Sequence, residues 1–194
     1  MLDESAQDLL FRHARSQNGW TPKPVRDETL RQVYDLLKWG PTSANCMPMR
    51  IVFARIHAAK ERVRPALNPN NVDKTMGAPV IAIVAYDTRF YEHIPRLFPR
   101  NPKAGERFAA DPALAEANAF RNGTLQGGYL IIAARACGLD CAPMSGFNNA
   151  LLDAEFFPDG RFKSNFICAI GYGDPASVNP RGPRLDFDEA CTLL

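Results

Sequence analysis

Histidine is scarce in this chain: His13, His57 and His93 are the only three, and none stands at the spacing of a metal-binding pair. The five cysteines, Cys46, Cys137, Cys141, Cys168 and Cys191, are odd in number and include no Cys-x-x-Cys. A zinc site and a disulfide framework therefore lack a basis, and reduced thiols in or near a core are expected, as in a reducing compartment. No GxGxxG follows a strand-like segment, which argues against a Rossmann dinucleotide site, and no GxxxxGK[ST] phosphate loop occurs. Neither HExxH nor GxSxG is present; Pro143-Met-Ser145-Gly146 is only a partial nucleophile elbow, and nothing places a histidine and a carboxylate beside Ser145 for hydrolysis. No apolar run approaches ~18 residues, so no membrane span is expected. Residues 1–12 carry Asp3, Glu4 and Asp8 without a long apolar stretch, so a signal peptide is not expected and a cytoplasmic location is. A net charge of +2 lacks the basic excess of a nucleic-acid binder.

What remains is an ordinary globular composition, 46% hydrophobic and 23% charged over 194 residues, sufficient for a single domain spanning 1–194. Periodicity predicts a short amphipathic helix over 5–16 and a second over 27–39, with Asp27 as its N-cap and Gly40-Pro41 as its stop. Residues 50–56 and the apolar run 79–86 read as strands, the latter buried on both faces, with a helix over 58–67 between them. Residues 87–111, rich in proline and arginine, read as a long irregular excursion of the kind that often forms a binding loop or lid. The longest helical pattern covers 112–137, with Pro112 in its first turn and Gly138 at its end. Gly123, Gly127 and Gly128 inside it imply close approach to another helix or a ligand. A short strand at 139–142, a turn at 143–147, a helix at 149–157 and a strand at 164–171 follow, then an extended arm over 174–194 that needs a surface to lie on, a partner subunit being one candidate. This irregular order favours an α+β sandwich over a doubly wound sheet.

With no acid–base or metal constellation visible, the difficult chemistry falls to a cofactor, which needs a phosphate grip, polar groups for a ring system and a flat apolar wall. Three stretches could supply them. The segment Trp39–Arg50 presents Thr42, Ser43 and Asn45 from a tight turn between a helix and a strand, although such a turn also serves simple capping. Asn70-Asn71-Val-Asp-Lys74 precedes the buried strand and could bring a lysine to an electron-rich ring, or leave it in solvent. Arg12, Arg15, Arg181 and Arg184, near the two ends, could grip a phosphate bidentately or serve solubility.

Together these stretches resemble the nitroreductase family over nearly the whole chain. Gly40-Pro-Thr-Ser-Ala-Asn-Cys-Met-Pro48 resembles the family's P-[ST]-x-x-N-x-Q-P turn, with Met47 where glutamine is frequent. Asn71-Val-Asp-Lys74 before Ala78-Pro-Val80 resembles its Asn-x-x-Lys, Gly138–Phe147 resembles its G-L-x-x-x-P-x-x-G-F, and Pro183-Arg-Leu185 resembles its basic tail. Within the family, Asn18-Gly-Trp20, Lys38–Asn45, Phe90-Tyr-Glu92, Leu97-Phe-Pro99, Ala119–Asn122, Pro143–Phe147 and Gly171-Tyr-Gly-Asp174 look like the malonic semialdehyde reductases of pyrimidine degradation, which form 3-hydroxypropionate.

The resemblance implies a nitroreductase-like sandwich with a central mixed sheet flanked by helices, an interlocked homodimer, one FMN per subunit, and NADH or NADPH as electron donor. It places Arg15 and Ser16 at the flavin phosphate and pyrimidine edge, with Ala14 at the family's usual first arginine, so that Arg12 or Arg15 takes that role. Thr42, Ser43 and Asn45 would approach the flavin largely from the other subunit. Asn71 and Lys74 would meet ribityl or ring oxygens, and Asn122 would take a ribityl-side position. Pro143, Met144, Ser145 and Gly146 would run along one ring face, and Arg181 and Arg184 would hold the phosphate. Lys74 would stabilise reduced flavin, with no side-chain nucleophile required. Ser145 replaces a glutamate common in nitroaromatic-reducing members, which suits an anionic substrate whose carboxylate could meet Arg96, Arg100, Arg107 or Arg121. The expected substrates are small carbonyl, nitro or quinone compounds: an aldehyde reductase first, a broad nitro/quinone reductase second, a non-catalytic flavin-binding module third.

Overall fold

The computed structural model describes all of residues 1–194. The chain opens with a helical turn, α1 (Glu4–Gln7), that widens into a π-helical turn over Asp8–Arg12. The predicted helix over 5–16 thus stops at Arg12, and residues 16–17 instead run beside a strand: Ser16 bridges Cys141 in parallel. Helix α2 (Asp27–Leu37) buries Leu30, Val33 and Leu37 on one face. Its N-cap position is Arg26 rather than Asp27, which sits one residue inside and contributes its negative charge to the helix N-terminus.

Strand β1 (Met49–Ala54), helix α3 (His57–Val63), helix α4 (Val72–Met76) and strand β2 (Val80–Asp87) follow. All eight residues of β2 are buried, as its unbroken apolar run predicts. Short helices α5 (Ile94–Leu97) and α6 (Glu106–Ala110) lead to α7 (Pro112–Ala136), then β3 (Asp140–Met144), α8 (Asn149–Phe156), β4 (Phe162–Gly171) and, in the C-terminal arm, the single turn α9 (Phe187–Ala190). Helix α7 begins with Pro112 behind the Asp111 cap and ends before Gly138 at φ 74°, a left-handed position that suits glycine.

The sheet has the order β1-β2-β4-β3, and every ladder in it is antiparallel. The expected mixed sheet is therefore not what these four strands form. The parallel element is the lone Ser16–Cys141 bridge. Side chains alternate across the sheet. Val80, Ala82 and Val84 join Cys168 and Ile170 under α2 and α7, while Ile81, Ile83 and Ala85 join Ile167 and Ala169 under α3 and α8. Each valine and isoleucine among them contributes roughly 1.5–3 kcal/mol of burial and each alanine less, so the sandwich is held chiefly from β2 outward.

Two expectations change in substance. Glycines 123 and 127 of α7 face the sheet: a Cβ on Gly123 would come 3.2 Å from the Tyr86 Cβ, and one on Gly127 would collide with the Phe166 ring. They admit strand side chains, not another helix or a ligand. Gly128, by contrast, meets nothing within 4 Å. The excursion is likewise not a loose loop. Phe90, Ile94 and Phe108 are fully or almost fully buried and pack with Cys46, Tyr86, Ala115 and Ala119 into a third core cluster. Its base is tied down by Asp87, fully buried, whose carboxylate takes Arg50 at 2.7 Å, Arg161 at 3.0 Å and the backbone N–H of Arg89 at 2.9 Å. The arm over 174–194 is extended apart from one 3-10 turn and α9, and every residue from Asn179 onward is exposed.

Candidate functional site

The predicted site residues fall into two groups at different places on the chain. The first gathers where β3 ends. Pairing of residues 16–17 with β3, with the Gln17 N–H donating to the Cys141 carbonyl at 3.1 Å, brings Arg15 and Ser16 alongside. The Arg15 guanidinium donates to the Asn179 carbonyl, and Arg181 donates to the carbonyls of Arg12 at 2.5 Å and Ala14 at 3.1 Å. The two ends of the chain are thus braced together. Arg12 is ion-paired with Asp8 at 2.5 Å, whereas Arg15 and Arg181 bond only to carbonyl oxygens, so their positive charge stays available to an anion. Arg184 is not drawn in; it donates to Gly182 and Pro183 of its own arm.

Beside this brace, the Asn71 amide donates to the Gly146 carbonyl at 2.8 Å, and the Asn68 N–H reaches the same oxygen at 3.1 Å. A side chain on Gly146 would overlap the Asn71 amide, so the approach requires glycine there. Thr75, fully buried, sets its hydroxyl 3.1 Å from the Met144 sulfur. Pro143 and Met144 still belong to β3 and pair with β4, so the turn expected from 143 begins only after Met144. Pro143 and Ser145 are exposed while Met144 between them is buried, as alternation along a strand dictates. The N–H groups of Ser145 and Gly146 donate to nothing in the chain. Lys74 pairs with no carboxylate; only its backbone carbonyl is engaged, by the Trp20 indole N–H at 2.7 Å. Gln17 adds a buried side-chain oxygen without a partner.

The second group is built on the turn after α2. The Ser43 N–H donates to the Asn122 side-chain oxygen at 2.8 Å, the Met47 N–H to the Thr42 hydroxyl at 3.2 Å, and the Asn45 amide to the Leu97 carbonyl at 2.8 Å. Asn122 in turn donates to the Asn118 carbonyl at 2.9 Å. Ala44, Asn45 and Met47 have φ of 51°, 49° and 40°. Left-handed backbone at residues other than glycine costs on the order of 1 kcal/mol or more each, and such strain concentrates at functional sites. Buried Gln126, one helical turn beyond Asn122, takes the Met49 N–H at 3.0 Å and fixes where the turn rejoins the sheet. Burial pushes the Cys46 thiol up to about 11, so this cysteine stays protonated near neutral pH and is no nucleophile.

Next to this turn a cleft of about 800 Å³ opens between α2, β1 and the excursion, lined by Met47, Met49 and Leu97 together with Arg31, Arg50 and Arg96. Of the four arginines considered for a substrate carboxylate, only Arg96 lines it. Arg100 lies 5.5 Å from the Phe98 ring centre and Arg107 4.5 Å from that of Phe108, while Arg121 sits on the outer face of α7. No hydrogen bond joins the first group to the second. Lys60, Asn68 and Gln126 belong to none of the sequence motifs, and Trp20 stands in one, Asn18-Gly-Trp20, without an expected role at the site. Gln126 had a visible signal, the third amide in an Asn118, Asn122, Gln126 series at four-residue spacing along one face of α7. The others act through backbone carbonyl or amide groups and leave no side-chain pattern.

Unpaired N–H donors, an uncompensated lysine and a pair of arginines on carbonyls suit a planar, electron-rich ligand with an anionic tail. Comparison with known proteins agrees with that chemistry. Residues 12–172 match the family model described as the nitroreductase family. A Cupriavidus pinatubonensis protein provisionally named NADH dehydrogenase/NAD(P)H nitroreductase is 61% identical over 188 residues, 96% of each chain. A Ralstonia pickettii protein with the same provisional name is 60% identical over 186 residues, 95% of each chain. The crystal structure of a nitroreductase-type protein from Exiguobacterium sibiricum, in complex with FMN, superposes with a TM-score of 0.84 at 16% identity over 100% of this chain and 99% of that one, a likeness of fold. With a family match across most of its length and close relatives covering nearly all of it, the chain belongs to the nitroreductase family.

Proposed function

We propose that this protein is an FMN-dependent NAD(P)H oxidoreductase that works as a homodimer and reduces a small carboxylated aldehyde, malonic semialdehyde, to 3-hydroxypropionate. The observation that carries the flavin reading is that α4, whose Lys74 has no acidic partner, is tied through Asn71 and Thr75 to the segment where the N–H groups of Ser145 and Gly146 are free. Those are the groups an isoalloxazine edge needs, and the names of the close relatives and the FMN-bound neighbour point the same way. FMN, when bound, supplies hydride transfer from NAD(P)H to the acceptor. The chain's part is to hold and polarise. Arg15 and Arg181 grip the phosphate from the braced ends, with Arg184 swinging in from its arm. Ser16 and Asn71 meet polar edges of the ligand. Pro143 and Ser145, exposed on either side of buried Met144, offer one face of the ligand a wall. The Lys74 ammonium favours the negative charge that reduction places on the ring.

The homodimer reading is supported by the surface that a single chain leaves open. Helix α7 buries Ala119, Gly123, Gln126 and Leu130 against the sheet, yet on its other side Leu114, Phe120, Leu125 and Tyr129 are 40–49% exposed. Large apolar side chains left uncovered among polar ones on an otherwise buried helix mark a surface for a partner. In that dimer Thr42, Ser43, Asn45 and Asn122 would complete the partner's site, which accounts for two groups of site residues that do not meet within one chain. Leu125→Glu should convert the dimer to monomers and lower FMN content at least tenfold. Sedimentation and flavin absorbance read both, and a dimeric, fully flavinated variant would refute the shared site.

Arg96 carries the substrate part of the reading. It lines the cleft from the excursion without an ion-pair partner, as Arg31 does from α2, whereas Arg50 and Arg55 there are paired with Asp87 and Asp27. Arg96→Gln is expected to raise KM for malonic semialdehyde about tenfold, the worth of one charge-assisted hydrogen bond, while leaving propanal turnover as it was. Equal effects on the two aldehydes would remove Arg96 from the role. The whole proposal is tested by an anaerobic spectrum of the purified protein: NADH or NADPH should bleach the flavin band, and malonic semialdehyde should restore it. Bleaching restored only by a quinone or nitroaromatic would make it a broad nitro/quinone reductase, and flavin that never bleaches a binding module.

A further inference from the structure

Helix α4 carries Asn71 at its start and Lys74 inside it, yet it is only five residues long, Val72–Met76. An isolated helix that short does not persist, and its last carbonyls lack helical partners. Here they are met from two distant segments. The Trp20 indole N–H donates to the Lys74 carbonyl at 2.7 Å, and the Lys60 ammonium donates to the carbonyls of Met76 and Ala78, both at 2.8 Å. Pro79 follows and has no N–H to continue the pattern. Lys60 sits far enough inside that desolvation lowers its pKa, despite Glu61 acting in the opposite sense. A lysine is placed there against that cost where a helix C-terminus offers it carbonyl oxygens.

Trp20 is itself fixed from below. Its backbone bridges Gly173, the next N–H, of Thr21, donates to the Tyr172 carbonyl at 2.8 Å, and its ring packs so close to Gly171 that a Cβ there would come within 2.9 Å. The segment that holds Arg15 and Ser16 against β3 therefore also holds the carbonyl of the residue bearing the free ammonium.

We infer that Trp20 and Lys60 are positioning residues: by capping the end of α4 they set where the Lys74 ammonium points, and so set how strongly the site favours a reduced, anionic ring over an oxidised one. The inference rests on the reading that Lys74 faces the flavin. Neither residue needs to touch the cofactor, and neither takes part in proton or hydride movement.

The test is a mutant cycle on the FMN-loaded protein, read as midpoint potential. Trp20→Phe keeps the ring in its Gly171 slot and removes only the N–H. It should cut the preference for reduced over oxidised FMN by about tenfold, the upper range for one lost hydrogen bond, which a two-electron couple reads as about 30 mV toward negative potential. Lys60→Met should shift it in the same direction. Neither should add anything once Lys74→Met is present. In the flavin-free chain, both variants should speed hydrogen exchange at the Gly77 and Ala78 amides several-fold, whereas Lys74→Met should not. A potential shift from Trp20→Phe that persists in the Lys74→Met background, or unchanged exchange in both capping variants, overturns the inference. If Lys74→Met alone leaves the potential where it was, the flavin reading fails, and the exchange result still decides the capping. Should Trp20→Phe not fold, Lys60→Met carries the same comparison.

Discussion

Lys74→Met is expected to slow reduction of bound FMN by NAD(P)H on the order of 10²-fold, with a smaller loss of FMN affinity. Methionine keeps the length and the apolar stem and removes the charge. A single preorganised charge or donor aimed at developing negative charge is worth about 10²–10³ in rate when removed. Lys74 meets the conditions for an effect of that size: it has no acidic partner to share its charge, it is half-buried, and its backbone is pinned at the carbonyl. Anaerobic stopped-flow at the flavin band measures it directly. A change below about threefold, with full flavin content, would assign Lys74 to the surface. Arginine at the same position should recover part of the rate, since the charge returns with a different reach.

Asp87→Ala should be strongly destabilising, costing roughly 3 kcal/mol or somewhat more. The Asp87 carboxylate is fully buried and takes both Arg50 and Arg161, with the His93 ring nitrogen 3.8 Å away. Removing one partner of a buried ion pair typically costs about 3–5 kcal/mol, because the other charge is left behind without compensation. The low end of that range applies. The side chains of Arg50 and Arg161 are 27% and 22% exposed and can recruit water, and Arg161 keeps Glu92 at 2.9 Å. The loss should appear as a lower denaturant midpoint, with the excursion the first part to open. A cost below about 1 kcal/mol would mean that the network is effectively solvated.

Much of this architecture is visible in the residues alone, for reasons that differ by element. The unbroken apolar run of β2 has no way to satisfy itself except by burial on both faces. Pro112 and Gly138 bound α7 because one lacks the N–H that a first turn does not use and the other accepts positive φ. Strand directions were not legible: an antiparallel ladder and a parallel one draw on the same local patterns when the connections are helical and long, so the mixed sheet expected from resemblance gave way to four antiparallel strands. The excursion read as irregular because its prolines break every long period, yet Phe90, Ile94 and Phe108 supply a small core of their own. At the candidate site, Asn71, Lys74 and the 143–146 turn stood out as side-chain motifs. Trp20 was visible only as part of Asn18-Gly-Trp20 and its role was not, since its contribution is a bond to a backbone carbonyl 54 residues away, and a carbonyl has no letter in the sequence.

The left-handed turn at 44–47 is propped from two directions, by Asn122 on α7 and by the Leu97 carbonyl at the end of α5. Its shape is thus the joint property of two segments that the chain lays down far apart. A lineage that trimmed the excursion would lose one prop, and residues such as Ala44 and Met47 would then relax toward ordinary φ or be exchanged for glycine and asparagine. Insertions and deletions between 88 and 111 should consequently be inherited together with substitutions at 44–47, a linkage that sequencing of diverse descendants can count.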